Sequence, residues 1–274
     1  MTLRNGLSEE LNRQGNEHFG LGHYTDAYTC YAKALECDRM TGDRRALVAT
    51  LGNMGNICAV SGRREAAQNY YQEVLELQKI LGDEKGIGTT LGNLGNLRAD
   101  AGEWDRARAY YLEALDLMTK AHDESGKAVL FSDLGLVARE TKQFDEALQY
   151  YEKSLALMRR LGNQGGVADA WRMMARTFLM QQRYDDAIAC CQTSQSVAER
   201  SRDELRTGGA RYVLAQCYEE TGRLQDAADL LSQVVEMDRK YQLPKLEENT
   251  VRLRKLRERL ADHPSGSGLR ESLR

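Results

Sequence analysis

Proline is nearly absent, two in 274 residues, so little in the chain interrupts helices. Cysteine is sparse too: Cys30, Cys37, Cys58, Cys190, Cys191 and Cys217 form no CxxC and no paired Cys/His spacing of a zinc site. Several fall where a small apolar residue would pack on a helix, and buried free thiols behave that way. His18, His23, His122 and His263 form no evident constellation with carboxylates or cysteines, and the expectation is no metal site and no cofactor. No stretch reaches the roughly 18 to 20 apolar residues that span a bilayer. The opening residues lack the apolar stretch of a secretory signal, which points to the cytoplasm. Lys plus Arg number 38 against 41 Asp plus Glu, a net charge of −3, so no whole-protein field calls for nucleic acid or an anionic membrane.

Catalytic signatures are equally scarce. No G-x-S-x-G, H-E-x-x-H or Walker A run occurs, and the expectation is a protein that is not an enzyme. GIGTTLG, from Gly86 to Gly92, resembles a phosphate loop in composition but follows no strand.

What the sequence does have is a period. NMGNICAVSGRREAAQNYYQEVLEL recurs 40 residues later as NLGNLRADAGEWDRARAYYLEALDL and again as DLGLVARETKQFDEALQYYEKSLAL, without a gap. A turn column runs Gly22, Gly62, Gly102, Lys142, Gln182 and Gly222. Seven residues earlier stand Gly15, Gly55, Gly95, Gly135, Ala175 and Ala215, the smallest side chains. Mid-helix Gly costs roughly 0.5 to 1 kcal/mol relative to Ala, so such a column implies close approach of a neighbouring helix. After the turn come an unbroken alanine column (Ala27, Ala67, Ala107, Ala147, Ala187, Ala227) and a column of Tyr31, Tyr71, Tyr111, Tyr151, Cys191 and Leu231. Small residues on one helix thus face large ones on the next.

Apolar residues between these columns keep helical spacing, and no strand-like alternation persists, so each repeat is a helix pair. Asp43, Asp83, Asp123, Asn163 and Asp203 stand where a side-chain oxygen can cap the next helix, and Gly42, Gly82 and Gly162 precede three of them.

The run WDRARAYYLEAL from Trp104, matched by FDEALQYYEKSL from Phe144, resembles the tetratricopeptide repeat. The 40-residue spacing and the LGNMGN, LGNLGN and LGD runs look most like the Pins/LGN subclass, with kinesin light chain a more distant parallel. The resemblance implies an all-α, right-handed α-solenoid of six helix pairs over residues 1–243. Pro244 then separates a capping helix at 244–260, and residues 261–274 read as a disordered tail. Arg211 replaces the large apolar residue seen as Leu51, Leu91, Phe131 and Trp171, and predicts looser packing there.

A stacked array leaves its function on exposed faces. The resemblance implies that first helices line a concave groove. Six residues before the turn column stand Asn16, Asn56 and Asn96, with Asn53, Asn93 and Asp133 beside them. Amides offer donors and an acceptor, so such a ladder can hold the main chain of a peptide; family members with peptide ligands carry the same residue type there. The plainer reading is that asparagine recurs through duplication alone. Arg172 and Arg176, one turn apart and with Arg139 nearby, can receive a carboxylate or phosphate, or be ordinary solvated charges. The capping helix carries a basic excess (Lys245, Arg252, Arg254, Lys255, Arg257, Arg259) that reads as a solvated face. The expectation is a scaffold binding a protein or peptide partner, one with an acidic segment fitting the later repeats. The rival is a regulatory sensor or self-assembling module whose superhelix responds to a ligand.

Overall fold

A computed structural model describes residues 2–262 of the chain. Among the described residues every regular element is an α-helix: α1 (Thr2–Gly20), α2 (Tyr24–Thr41), α3 (Arg44–Val60), α4 (Arg64–Leu81), α5 (Glu84–Ala99), α6 (Trp104–Lys120), α7 (Glu124–Glu140), α8 (Phe144–Arg160), α9 (Gln164–Met180), α10 (Tyr184–Arg200), α11 (Glu204–Glu220), α12 (Leu224–Lys240) and α13 (Leu246–Asp262). No described helix is long and apolar enough to cross a membrane. Gly86 to Gly92 lies inside α5, so the glycine run is helix and not a phosphate loop.

The turns explain the regularity. A left-handed residue occurs at every twentieth position from Gly22 to Gln242, by glycine at seven of them and by His122, Lys142, Gln182, Arg202 and Gln242 at the others. Each stops one helix and redirects the chain. At five of these turns, those that open α3, α5, α7, α9 and α11, the next helix is capped by the side chain its sequence predicts. The Asp43 carboxylate accepts from the amides of Arg45 (3.0 Å) and Ala46 (3.2 Å). Asp83, Asp123, Asn163 and Asp203 accept from Gly86, Gly126, Gly166 and Arg206 at 2.9 to 3.0 Å.

The chain divides into two compact units, the boundary falling within α7 between Val137 and Ala138. In the first unit, Tyr31, Tyr71 and Tyr111 are buried, each with its ring on a glycine of the preceding helix: a Cβ on Gly15, Gly55 or Gly95 would overlap the ring. A polar chain runs through this core. Asn53 Nδ2 donates to Asn12 Oδ1 (3.0 Å), Asn12 Nδ2 to Thr50 Oγ1 (2.6 Å), and Thr50 Oγ1 to Asp38 Oδ2 (2.6 Å). It links α3, α1 and α2 and satisfies a buried carboxylate.

In the second unit the alanine column continues, with Cys191 and Leu231 buried where tyrosine stood. Cys190, Cys191 and Cys217 are free and buried, and desolvation pushes the Cys190 thiol up to about 11. Arg211, in the column of large apolar residues, reaches Glu199 of α10 with its guanidinium at 3.0 Å, while its Nε is buried with no hydrogen-bond partner. The chain after Pro244 forms α13, held to α12 by Asn249 donating to Asp238 (2.7 Å) and to α11 by Arg252 and Glu219 (3.0 Å). Of the tail assigned to 261–274, Ala261 and Asp262 belong to α13; the remainder lies outside the described residues.

Candidate functional site

The asparagines come in two kinds. Asn16, Asn56 and Asn96 are exposed, and each accepts at Oδ1 a hydrogen bond from the hydroxyl of the tyrosine fifteen residues on. Tyr31 to Asn16 is 2.8 Å, and Tyr71 to Asn56 and Tyr111 to Asn96 are 2.7 Å. The geometry follows from the repeat. The glycine before each asparagine lets the tyrosine ring approach the first helix closely, and its hydroxyl then reaches the next residue. With Oδ1 engaged, the amide is oriented and its NH2 is left toward solvent as a pair of donors.

Asn53 is different. It is half-buried and donates to Asn12, so this residue holds α1 to α3 and does not present its amide outward. Asn93 is also half-buried but lines an open cleft of about 300 Å³ together with Phe19, Asn56, Asn96, Leu97 and Asp100. Asn16, Asn53 and Asp133 are not among its lining residues. Asp133, on α7, is half-buried, and desolvation pushes its carboxyl up to about 7. Its charge and that of Asp100 add to the burial that raises the Tyr111 hydroxyl.

A sequence model of the tetratricopeptide repeat matches residues 11–80, 86–160 and 166–240, and a second of the same description matches 132–198. The chain belongs to the tetratricopeptide repeat family. Each matched segment spans about two helix pairs, so the tyrosine-held asparagines are one feature repeated in successive tetratricopeptide units. Among solved structures the chain is similar to a Rap protein complexed with Competence and Sporulation Factor, at 16% identity and TM-score 0.68, covering 92% of this chain and 75% of that one. It is similar also to kinesin light chain TPR-like repeats from Podosopora anserina (17%, 0.57, 72% and 97%) and to PilF of Pseudomonas aeruginosa (19%, 0.57, 91% and 99%). These likenesses concern the fold. No curated protein matches.

In the second unit of this tetratricopeptide chain, Arg172 and Arg176 of α9 line one cleft of about 360 Å³ with Tyr212, Gln216, Lys245 and Asn249. Arg172 is paired with Asp169 at 3.0 Å. Arg176 keeps solvent access and has no acidic partner within ion-pair distance among the described residues. Desolvation, then the charges of Arg139 and Arg172, lower its proton affinity below that of an ordinary guanidinium. Arg139 is not beside them on an open surface: it is 4% exposed, its Nε and Nη2 on Glu140 Oε1 at 3.1 and 2.8 Å and its Nη1 on Met173 Sδ. It contributes charge from below the surface.

Sequence reasoning passed over the tyrosines as partners of the amides. A signal for them exists, since the Asn-to-Tyr interval of fifteen recurs in the first three repeats and ends where Leu136 replaces asparagine. Tyr212 and Lys245 carried no signal of their own, because neither keeps its type through the repeats.

Proposed function

We propose that this chain is a non-catalytic interaction scaffold that binds a protein or peptide segment, its repeats being the 40-residue, Pins/LGN-like kind and its place the cytoplasm. The observation that carries the reading is the threefold Tyr–Asn hydrogen bond. Duplication would preserve the asparagines, but it does not require their amides to be exposed, oriented and donor-outward. Such donors suit main-chain carbonyls of an extended or helical partner, whatever its sequence. In the second unit Arg172 and Arg176, with the charge of Arg139 behind them, receive a carboxylate or phosphate of a partner's acidic segment.

The test is selection of ligands from a displayed peptide library on the purified chain, followed by measured affinities. Asn56→Ala with Asn96→Ala should weaken the selected ligands by about tenfold or more, and unchanged affinities would refute the reading. Self-association, or a superhelix that responds to a ligand, is the second reading. The Rap protein of similar fold was solved with a factor bound, which is the kind of complex such a sensor would need. Light scattering across a concentration series separates the two.

A further inference from the structure

The first-to-second helix turns of α1–α2, α3–α4, α5–α6, α7–α8, α9–α10 and α11–α12 close in the same way, in α7–α8 by Gln143 donating to Ala138 (2.7 Å). The amide of the residue after the left-handed position donates to a carbonyl five residues back: His23 to His18 (2.9 Å), Arg63 to Cys58 (2.8 Å), Glu103 to Arg98 (2.9 Å), Arg183 to Phe178 (2.9 Å) and Arg223 to Tyr218 (2.8 Å). This double-bonded turn brings its two flanking side chains together, and the residue three further on, in the first turn of the second helix, joins them. The structure shows what that trio does in three repeats. Glu103 lies 3.5 Å from Arg98 and 2.8 Å from Arg106. Arg183 stands over Phe178 (4.5 Å) and pairs with Asp186 (2.7 Å). Arg223 stands over Tyr218 (3.9 Å) and pairs with Asp226 (2.7 Å).

In the first repeat the same three positions hold His18, His23 and Asp26. Their chemistry is not complementary in that way. No hydrogen bond or ion pair joins them among the described residues, the two rings being 6.1 Å apart and tilted by 40°. His18 Nδ1 is buried with no hydrogen-bond partner, and His23 makes no side-chain cap to α2. One ligating atom from each of the three lies within 4.8 Å of the other two.

We infer that His18, His23 and Asp26 form a binding site for a divalent transition-metal ion, zinc being the favoured probe. Two imidazole nitrogens and a carboxylate oxygen are a borderline donor set that suits Zn2+ and leaves a fourth, open position for water. Small side-chain rotations bring the donors to bonding distance, because the backbone that carries them is already fixed by the turn. Two histidines five residues apart in a helical hairpin show no metal spacing in sequence, which is why the expectation of no metal site arose. A bound ion would tie the last turn of α1 to the first turn of α2, the role that the Arg98–Glu103 ion pair fills in the third repeat and the arginine-over-ring contacts fill in the fifth and sixth.

The test is calorimetric titration of the chelator-stripped full chain, carrying no polyhistidine tag, with ZnCl2 near neutral pH. One equivalent should bind saturably, and His23→Asn and Asp26→Asn should each weaken it by about tenfold or more. Both substituted residues are exposed, so the variants should melt like the parent without zinc, and only the parent should gain thermal stability with it. No saturable uptake overturns the proposal. So does uptake unaltered in both variants, which would place the ion elsewhere, for example on the cysteines. Co2+ in the parent chain offers a readout independent of any variant: a spectrum without a thiolate charge-transfer band supports the site, and such a band overturns it.

Discussion

The Tyr71 hydroxyl stands 2.7 Å from Asn56 Oδ1, and the ring that carries it lies against Gly55. One residue pair therefore joins the core of the repeat to its exposed face. The tyrosine buries its ring where the glycine makes room and uses its polar end to orient an amide at the surface.

That coupling predicts a double-mutant cycle. Tyr71→Phe should cost about 0.5 to 1.5 kcal/mol, the net worth of one such hydrogen bond. Adding Asn56→Ala should cost less than the sum of the single changes. Urea unfolding of the four chains reads the coupling, and additivity would show that the bond is not formed in solution.

Two glycines of α3 should respond in opposite directions. A Cβ added at Gly52 would have nothing within 4 Å, so Gly52→Ala should stabilise by about 0.5 to 1 kcal/mol through helix propensity. Gly55→Ala drives a methyl into the Tyr71 ring and should destabilise by about 1 to 3 kcal/mol. Thermal midpoints of both variants check the pair.

Asp133 predicts a pH dependence with a definite sign. Its folded value of about 7 lies above the ordinary 3.8, so the folded chain holds a proton that the unfolded chain has released. Stability from this group is fully present below about 3.8 and declines as pH rises towards 7. Burial is the cause of the shift. Asp133→Asn should therefore stabilise the chain at pH 8 by about 1 to 3 kcal/mol and change little near pH 4. Denaturant melts at the two pH values decide, and an equal effect at both would show that Asp133 titrates normally.

Arg176 should reveal itself by opposite effects on stability and binding. Arg176→Gln removes a charge repelled by Arg139 and Arg172, so the ligand-free chain should gain up to about 1 kcal/mol. Affinity for an acidic or phosphorylated peptide should fall by about tenfold, and the contrast should shrink with added salt. A destabilised variant with unchanged affinity would make the arginine purely structural.

The cap at α3 offers a plainer check. Asp43→Ala should cost about 0.5 to 2 kcal/mol, because two backbone amides lose their acceptor. Asp43→Asn should retain most of the stability in the same melt.

Periodicity determined the helix pairs, their turns and their caps, because each depends on residues a few places apart: a left-handed glycine, a capping carboxylate, a glycine column facing a tyrosine column. Which polar side chains reach solvent depended on neighbours in other helices. Asn53 and Asn56 look alike in sequence, yet Asn53 meets Asn12 across a helix interface while Asn56 is turned outward by Tyr71. Arg139 shares its residue type with Arg172 and Arg176 but lies under Glu140 and Met173. The meeting of His18, His23 and Asp26 likewise rests on a reversal of chain direction that brings donors together in space. A repeat writes its own local geometry many times over, whereas the environment of a single polar group is composed by several helices at once, and only their packing decides it.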